Sequence, residues 1–286
     1  MGIKKSFINV AIVNDNKLLQ YYFKKQFCIF NLLEIILLFS MKNESIAWDN
    51  IAEMYDESFG DEGDYSHKYI IYPGIKNILG NISGKKIIDL GCGTGTLSRS
   101  LYKNGAEVTG IDFSDKMLEL ALLRNRNIKY IKENLNENLS FEDEIFDISL
   151  SVMVLHSLSF IDKCISESFR TLKHKGRFIV VVPHMAHIYQ FRSVILEDNS
   201  KYLTEQRAMF KWKQFKNYCK LPTAFYLRPL QFYFDAFRKH GFAVNAIIEP
   251  SIVDKAKDDI DNVHTMEIWQ RLKEKPSFMI FDCFKE

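Results

Sequence analysis

The sequence predicts an α/β fold built on a doubly wound, parallel sheet, and three observations carry that expectation. The first is Lys86-Ile-Ile-Asp-Leu-Gly-Cys-Gly-Thr-Gly-Thr-Leu-Ser98, a short apolar run ending in Asp89, a turn with three glycines, and an immediate helical pattern. The second is Glu107-Val-Thr-Gly-Ile-Asp112, a strand-like run closing on an acid. Asp112 lies roughly 20 residues beyond the first glycine, the distance at which such a sheet sets a carboxylate against ribose hydroxyls. The third is that apolar strand runs and helical runs keep alternating toward the C-terminus.

The first element is a strand–glycine turn–helix corner. Leu97, Leu101 and Tyr102 recur at helical spacing until Asn104-Gly105 stops the helix. Glycine lets the main chain approach a ligand closely and take positive φ, which a Cβ would obstruct. Two neighbouring hydroxyls can both donate to one carboxylate, so Asp112 implies an adenosine-bearing ligand. The spacing is G-x-G-x-G and not the G-x-G-x-x-G of a dinucleotide site. Asp89 also sits where a pyrophosphate would be repelled, which disfavours a nicotinamide-dependent oxidoreductase.

Ile88-Asp-Leu-Gly-Cys-Gly-Thr-Gly95 resembles motif I of the class I S-adenosylmethionine-dependent methyltransferases, and Gly110-Ile-Asp-Phe-Ser-Asp-Lys-Met-Leu118 resembles their second motif. Asp143-Glu-Ile-Phe-Asp-Ile-Ser149 with Val154-Leu-His156 is similar to the fourth-strand region. Leu172-Lys-His-Lys-Gly-Arg-Phe178 is similar to the "LKPGG" turn into strand five, with His174 and Lys175 replacing Pro and Gly. The likeness runs from about Trp48 to the C-terminus, and its signals fall in the family's order. It implies a Rossmann-like, doubly wound, seven-stranded sheet, mostly parallel with strand seven antiparallel. N-terminal helices and a cap insertion after strand five, at about 185–225, complete the expected fold. The implied cofactor is S-adenosyl-L-methionine.

A chain of 286 residues, 47% of them apolar, is long enough for a full core and one enzyme-sized domain, expected over 45–286. The net charge of +2 provides no global field for nucleic acid. Five scattered cysteines form neither a disulfide framework nor a zinc spacing, which suits a reducing cytoplasm. No metal site is expected. Residues 1–44 fall outside the family pattern. Phe27–Phe39 is apolar but short for a membrane span, and Asn31 and Glu34 interrupt it. Lys24-Lys25 precedes it as in a signal peptide, yet no small-residue cleavage site follows. The expectation is that Met41 is the natural start and the leader an upstream mis-extension or weakly ordered appendage; a membrane-surface anchor is the alternative.

Trp48, Ile51, Ala52 and Tyr55 share one helical face, and an acidic, glycine-spaced loop to Asp64 leads to a second helix with His67, Tyr69 and Tyr72. The resemblance implies that these helices lie over the cofactor and close the acceptor pocket. Tyr55 then contacts the methionine end or is an ordinary packing aromatic. Tyr72 lines the pocket, and His67 lines it too or is simply exposed. The cofactor contacts implied are Asp89, Gly91, Cys92, Gly93, Thr94 and Gly95 at the turn, and Asp112 with Phe113 against the adenine. Cys92 reads as a small residue tolerated in the turn. Ser114 caps the next helix, where Met117 touches adenine or only packs. Beyond the third strand, Ile128–Ile131, Asn134 stands where the family has an acid facing the adenine amine, and Leu135 offers its main-chain N–H.

The fourth strand, 145–151, points its carboxyl end at the reaction centre, which places Ser151, Val152, Met153 and His156 near the transferring methyl. His156 is a candidate base or a structural helix-start residue. A helix over 160–172 precedes a fifth strand, 177–182, and His184 at its end is a second pocket candidate. From Met185 to Leu221 aromatic and basic residues alternate, too long for a plain loop and suited to a lid. Tyr226-Leu-Arg-Pro-Leu230 opens a helix to Phe237, with strands at 242–249 and 277–284 after it. Arg228 steers an acidic acceptor or fixes the cap.

The expected function is methyl transfer by in-line displacement to a small-molecule acceptor, at O, N or C. Methylation of tRNA or protein is the first rival, opposed by the absence of an Asn/Asp-Pro-Pro-Tyr-type motif or an appended basic domain. A catalytically silent cofactor-binding module is another. Alignment and exclusion of water are the protein's main tasks in such a reaction, and a base is optional.

Overall fold

The computed structural model describes residues 46–185, 194–195, 202–210, 223–259 and 263–286. The predicted extension, 1–44, and much of the predicted cap lie outside them. A first helix, α1, spans residues 46–59, and a second, α2, spans 65–79; its middle, His67–Ile71, is π-helical and its end, Tyr72–Leu79, α-helical. Then come β1 (Lys86–Leu90), α3 (Thr96–Lys103), β2 (Glu107–Asp112), α4 (Asp115–Arg124), β3 (Lys129–Lys132) and β4 (Phe146–Val152). The chain continues with α5 (Asp162–Thr171), β5 (Leu172–Pro183), β6 (Val194–Ile195), β7 (Gln206–Phe210) and β8 (Thr223–Leu227). It closes with α6 (Leu230–Lys239), β9 (Phe242–Ile248), α7 (Val263–Glu274) and β10 (Phe278–Lys285).

The main sheet has seven strands in the order β3-β2-β1-β4-β5-β10-β9. β1 pairs in parallel with both β2 and β4, so the direction of winding reverses beside it, and β10 runs antiparallel to both neighbours. The predicted doubly wound sheet with an antiparallel seventh strand is the one observed. A ligand crevice forms beyond the carboxyl ends of strands at such a reversal.

Alternation along the strands divides the core between the two faces. Ile87, Ile179 and Val181 pack with Ile75 of α2 and with Leu97 and Leu101 of α3. Ile88, Phe178 and Val180 pack on the other face with Ile165 of α5 and Phe237 of α6. β1 is buried from Ile87 to Leu90 because it has helices on both sides, which is why its sequence reads as an apolar run.

Several boundaries differ from the expectation. β5 begins at Leu172, within the predicted turn, since the chain bulges between Phe146↔Leu172 and Ile148↔Arg177 and Lys175 takes a φ of 61°. Tyr226 does not open a helix; it pairs with Arg207 in an antiparallel sheet ordered β6-β7-β8, and α6 starts only after Pro229. The helix α7 is absent from the sequence-based reading.

Candidate active site

The site grows from the register of β1 and β2. Leu90 lies opposite Ile111, so the glycine turn leaves β1 beside the end of β2. Cys92 donates its N–H to the Ile111 carbonyl at 2.9 Å, and Gly93 donates to Asp112 Oδ2 at 2.9 Å. Gly93 and Gly95 have φ of 53° and 76°, the left-handed region that a side chain strains. Their surroundings differ. A Cβ on Gly95 would meet Tyr130 Cζ at 2.9 Å, whereas one on Gly93 would find only Met117 Sδ, at 4.0 Å. Gly95 is thus needed for packing against β3, and Gly93 leaves room for a ligand.

Arg99 of α3 braces the turn from beneath. It is 3% exposed and donates to the Thr94 carbonyl at 2.6 Å and the Gly60 carbonyl at 3.0 Å, tying the loop after α1 to the glycine corner. Asp49 of α1 makes a second tie, accepting from the Ser114 hydroxyl at 2.6 Å. Ser114 caps α4 as expected, accepting from the Met117 N–H at 3.1 Å.

These ties bring α1 and α2 over the corner. Tyr55, Phe59, His67 and Tyr72 form one wall of a cleft, and Asp89, the Gly91–Thr94 turn, the start of α3 and Val152 form the other. Tyr55 stacks on Phe59 with centroids 3.8 Å apart, and His67 stands edge-on to Phe59 at 4.9 Å. His67 is therefore part of the cleft and not exposed, with Nδ1 2.7 Å from Asp64 Oδ1.

Acids dominate the charge at the glycine corner: Asp89 lines the cleft, and Asp112 lies behind the turn, outside the described lining residues. Asp89 accepts from the Ser98 hydroxyl at 2.6 Å. Burial, with the charge of Asp112 added, pushes its carboxyl up to about 6. Burial also raises Asp112, against the hydrogen bonds of the Ser114, Gly93 and Phe113 main chain. Neither acid has an ion-pair partner among the described residues. Burial raises the Cys92 thiol and the Tyr55 and Tyr72 phenols, so each keeps its proton.

The remaining sequence candidates are more scattered. Met117 is buried against Ile51, Ala52 and Met54 of α1. Asn134 turns its amide on its own loop: Oδ1 accepts from Asn136 N at 3.0 Å, and Nδ2 donates to Glu137 at 2.8 Å. The Leu135 side chain lies in the core, Ser151 is fully buried, and Phe113 and Met153 are half-buried. None of these six is among the described lining residues of the cleft.

Three candidates are relocated by the structure. His156 is buried against Phe225, with ring centroids 4.5 Å apart, and burial and then Arg228 push it down to about 3. A group of that kind is neutral at any ordinary pH and is no base poised near 7. Arg228 is 1% exposed and donates to the Leu155 carbonyl at 2.8 Å, the Leu158 carbonyl at 2.7 Å and the Glu205 carboxylate. It fastens β8 to the chain after β4, the structural one of its two expected roles. His184 bonds Glu249 at 2.7 Å and borders a separate cavity with Met185, Tyr202, Leu230 and Met279.

Sequence reasoning missed Arg99, Asp49, Phe59 and Asp64. Only Asp64 left a signal, an acid three residues before His67 at a helix start.

Comparison with known proteins places this arrangement. Residues 88–180 match the family model described as a methyltransferase domain. The chain is 38% identical over 104 residues to a demethylmenaquinone methyltransferase of Tropheryma whipplei, covering 36% of this chain and 44% of that protein. It is 35% identical over 150 residues to a malonyl-[acyl-carrier protein] O-methyltransferase of Buchnera aphidicola, 49% of this chain and 60% of that one. The chain thus spans about half the length of these curated relatives. The crystal structure of an S-adenosylmethionine-dependent methyltransferase from Mesorhizobium loti shares the fold, with a TM-score of 0.59 at 20% identity over 79% of this chain and 100% of that one. The chain thus carries a methyltransferase-domain match over residues 88–180 and shares the fold of solved S-adenosylmethionine-dependent methyltransferases.

Proposed function

We propose that the protein transfers a methyl group from S-adenosylmethionine to a small-molecule acceptor. The observation that carries this reading is Asp112, a buried carboxylate fixed by two main-chain N–H groups at the rim of the glycine corner. A carboxylate offers about four lone-pair sites, so beyond its main-chain donors it keeps acceptor capacity for a ribose hydroxyl. The other cleft residues fit the same donor. Gly93 opens space beside the turn, and Thr94 Oγ1 is buried without a partner. Asp89 is an unpaired acid that a sulfonium and its neighbouring ammonium would complement.

When bound, the donor supplies an electrophilic methyl with a neutral leaving group. The residues of this chain align and enclose it. Arg99 and Asp49 hold the covering helix against the corner, and Tyr55, Phe59 and Tyr72 exclude water.

That the acceptor is small is supported by the curated relatives, whose names specify a quinone precursor and a carrier-bound malonyl group. Among the described residues no helix is long and apolar enough to cross a membrane. A cytoplasmic setting belongs to the same proposal; Cys92, Cys164 and Cys283 are free thiols, as a reducing compartment allows.

Calorimetry with S-adenosylmethionine and S-adenosylhomocysteine tests the donor site, and transfer of a labelled methyl into a metabolite extract tests the reaction. Micromolar uptake and one labelled small product are expected. A protein that binds neither compound is not a methyltransferase of this kind, and label found only in RNA, or in protein on amino-acid side chains and not on a carrier-bound acyl group, overturns the small acceptor.

A further inference from the structure

The cavity that His184 borders stands at the same edge of the main sheet as the cleft. Val152, at the end of β4, lines the cleft and pairs with Val181 of β5. β5 runs two residues further to Pro183, and His184 follows, its main-chain N–H bound to the Ser277 carbonyl at 2.9 Å. Three residues of extended chain carry it about 10 Å past Val181, in a strand about 4.8 Å from β4. Cleft and cavity are thus close enough for one small molecule to reach from one to the other.

The cavity has a volume of about 280 Å³, room for roughly nine groups the size of a water molecule at about 30 Å³ each. Met185 and Met279, 3% and 4% exposed, form its floor, and Tyr202 and Ile247, 44% and 40% exposed, stand at its rim. Leu230, at the start of α6, adds another apolar wall. Thioethers are polarisable and adapt to flat rings as well as to chains. The polar part is a single pair, His184 Nε2 and Glu249 Oε1 at 2.7 Å. A carboxylate offers about four lone-pair sites, so beyond the imidazole Glu249 keeps acceptor capacity for a ligand hydroxyl.

Charge narrows the choice. No lysine or arginine is among the described lining residues, and His184 is already bound to a carboxylate. Arg228, two residues before Leu230, has its guanidinium committed to the Leu155, Leu158 and Ser159 carbonyls and to Glu205. A carboxylate or phosphate entering the cavity would meet Glu249 without a counter-ion from these residues, and an enclosed charge is costly unless it is paired.

We propose that the methyl acceptor is an uncharged, mainly apolar compound of one or two rings, whose body fills this cavity and whose hydroxyl donates to Glu249. This rests on the donor reading above and deepens it by naming the class of acceptor. The reacting atom extends to the cleft while the rest of the molecule is held one strand away.

The test sorts the acceptors before the reaction. A metabolite extract is passed over an anion exchanger at pH 7, and the flow-through is taken into ethyl acetate. The full chain then receives S-adenosylmethionine labelled in its methyl group, with either the neutral organic fraction or the retained anions. Label is expected in the neutral fraction. Glu249→Ala, which removes the hydroxyl's partner, should require about 10- to 100-fold more of that fraction for half-maximal transfer, the equivalent of one hydrogen bond to a charged group. Ile247→Arg, which sets a charge at the rim, should require at least about tenfold more, and Glu249→Gln, which keeps an acceptor, should lose less than Glu249→Ala. All three should bind S-adenosylhomocysteine as the wild type does, by calorimetry. Leu123→Arg, the same charge on an exposed position of α4, is the control and should change nothing. Donor uptake without label in the neutral fraction overturns the proposal, as does transfer that Ile247→Arg and Glu249→Ala leave undiminished. Donor affinity lost in step with transfer overturns it in favour of general packing. A wild-type protein that binds neither S-adenosylmethionine nor S-adenosylhomocysteine sinks the donor reading itself, a result distinct from all of these.

Discussion

The carboxylate of Asp112 accepts the main-chain N–H of Gly93 across 2.9 Å, which joins the end of β2 to the glycine turn after β1. Its second oxygen accepts the Ser114 N–H at 2.9 Å, at the start of α4. One side chain thus sets the mutual position of three segments, and its carboxylate is already ordered. A group held in this way loses little freedom when a ligand arrives.

Replacing Asp112 with Ala is therefore expected to lower affinity for S-adenosylhomocysteine by at least about 100-fold, since two hydrogen bonds to a charged acceptor each contribute about 1.5–3 kcal/mol. Asp112→Asn keeps an acceptor for one main-chain donor and should fall between. Calorimetry on both variants, with melting temperature as the control for folding, decides it. Uptake undiminished in Asp112→Ala would remove the ribose from this corner.

The two glycines of the turn should separate under substitution. Gly95→Ala drives a methyl into Tyr130 and Ala121, and overpacking of that kind costs about 1–3 kcal/mol on top of the left-handed strain. Gly93→Ala carries similar strain but meets only Met117 Sδ at 4.0 Å, so its methyl enters the ligand space. Gly95→Ala is expected to lower the melting temperature more, and Gly93→Ala to lose more donor affinity per degree of melting lost. Identical behaviour of the two variants would contradict the division of roles.

Asp89 makes the site sensitive to acid in a defined direction. Its native carboxyl is raised to about 6, by burial first, whereas an unfolded aspartate titrates near 3.9. A raised native value means that the folded protein binds the proton more tightly. The contribution to stability is full below about pH 4 and is lost as the pH rises through about 6. Asp89→Asn should therefore raise the melting temperature of the ligand-free protein above pH 6 and leave it little changed at pH 4. Donor affinity should move oppositely, rising through pH 6 in the wild type as the acid ionises and remaining flat and weak in Asp89→Asn. Melting curves and calorimetry from pH 4 to 8 measure both, and a variant no more stable at pH 7.5 would refute the first half.

What the sequence made legible is the part of the site that is local. The run into Asp89, the turn to Gly95 and the cap at Ser114 each depend on neighbours a few residues away, and a fixed crossover length leads to Asp112. The braces of the site were hidden because they join distant segments. Arg99 reaches the carbonyl of Gly60 across 39 residues of chain, and Asp49 reaches Ser114 across 65. Helical periodicity marks both as polar positions and says nothing about what they touch. Tyr226 misled for the same reason: its place in β8 is set by pairing with Arg207 and not by Pro229 beside it. Arg228 resembles a surface charge in sequence, and only the three carbonyls and the carboxylate around it show a buried fastener.

His156 supplies the last test, because its motif and its surroundings point in opposite directions. The resemblance sets the segment after β4 near the reaction centre, yet the ring is buried beside Phe225 with Nδ1 unpartnered, and burial and then Arg228 depress it to about 3. An unfolded histidine titrates near 6.5, so the folded protein binds this proton less tightly. The stability it confers is present above about pH 6.5 and is lost as the pH falls toward 3. His156→Phe removes a buried unsatisfied group, whose cost is about 1–3 kcal/mol, and keeps a ring against Phe225. The variant should melt higher than the wild type, by a margin that widens as the pH drops from 7 to 5. Its donor affinity should be unchanged, and methyl transfer into a metabolite extract should fall by less than about threefold, against the 10²-fold or more expected on losing a general base. Transfer abolished in His156→Phe with donor binding intact would restore His156 to the chemistry and would require the segment after β4 to turn its ring toward the acceptor.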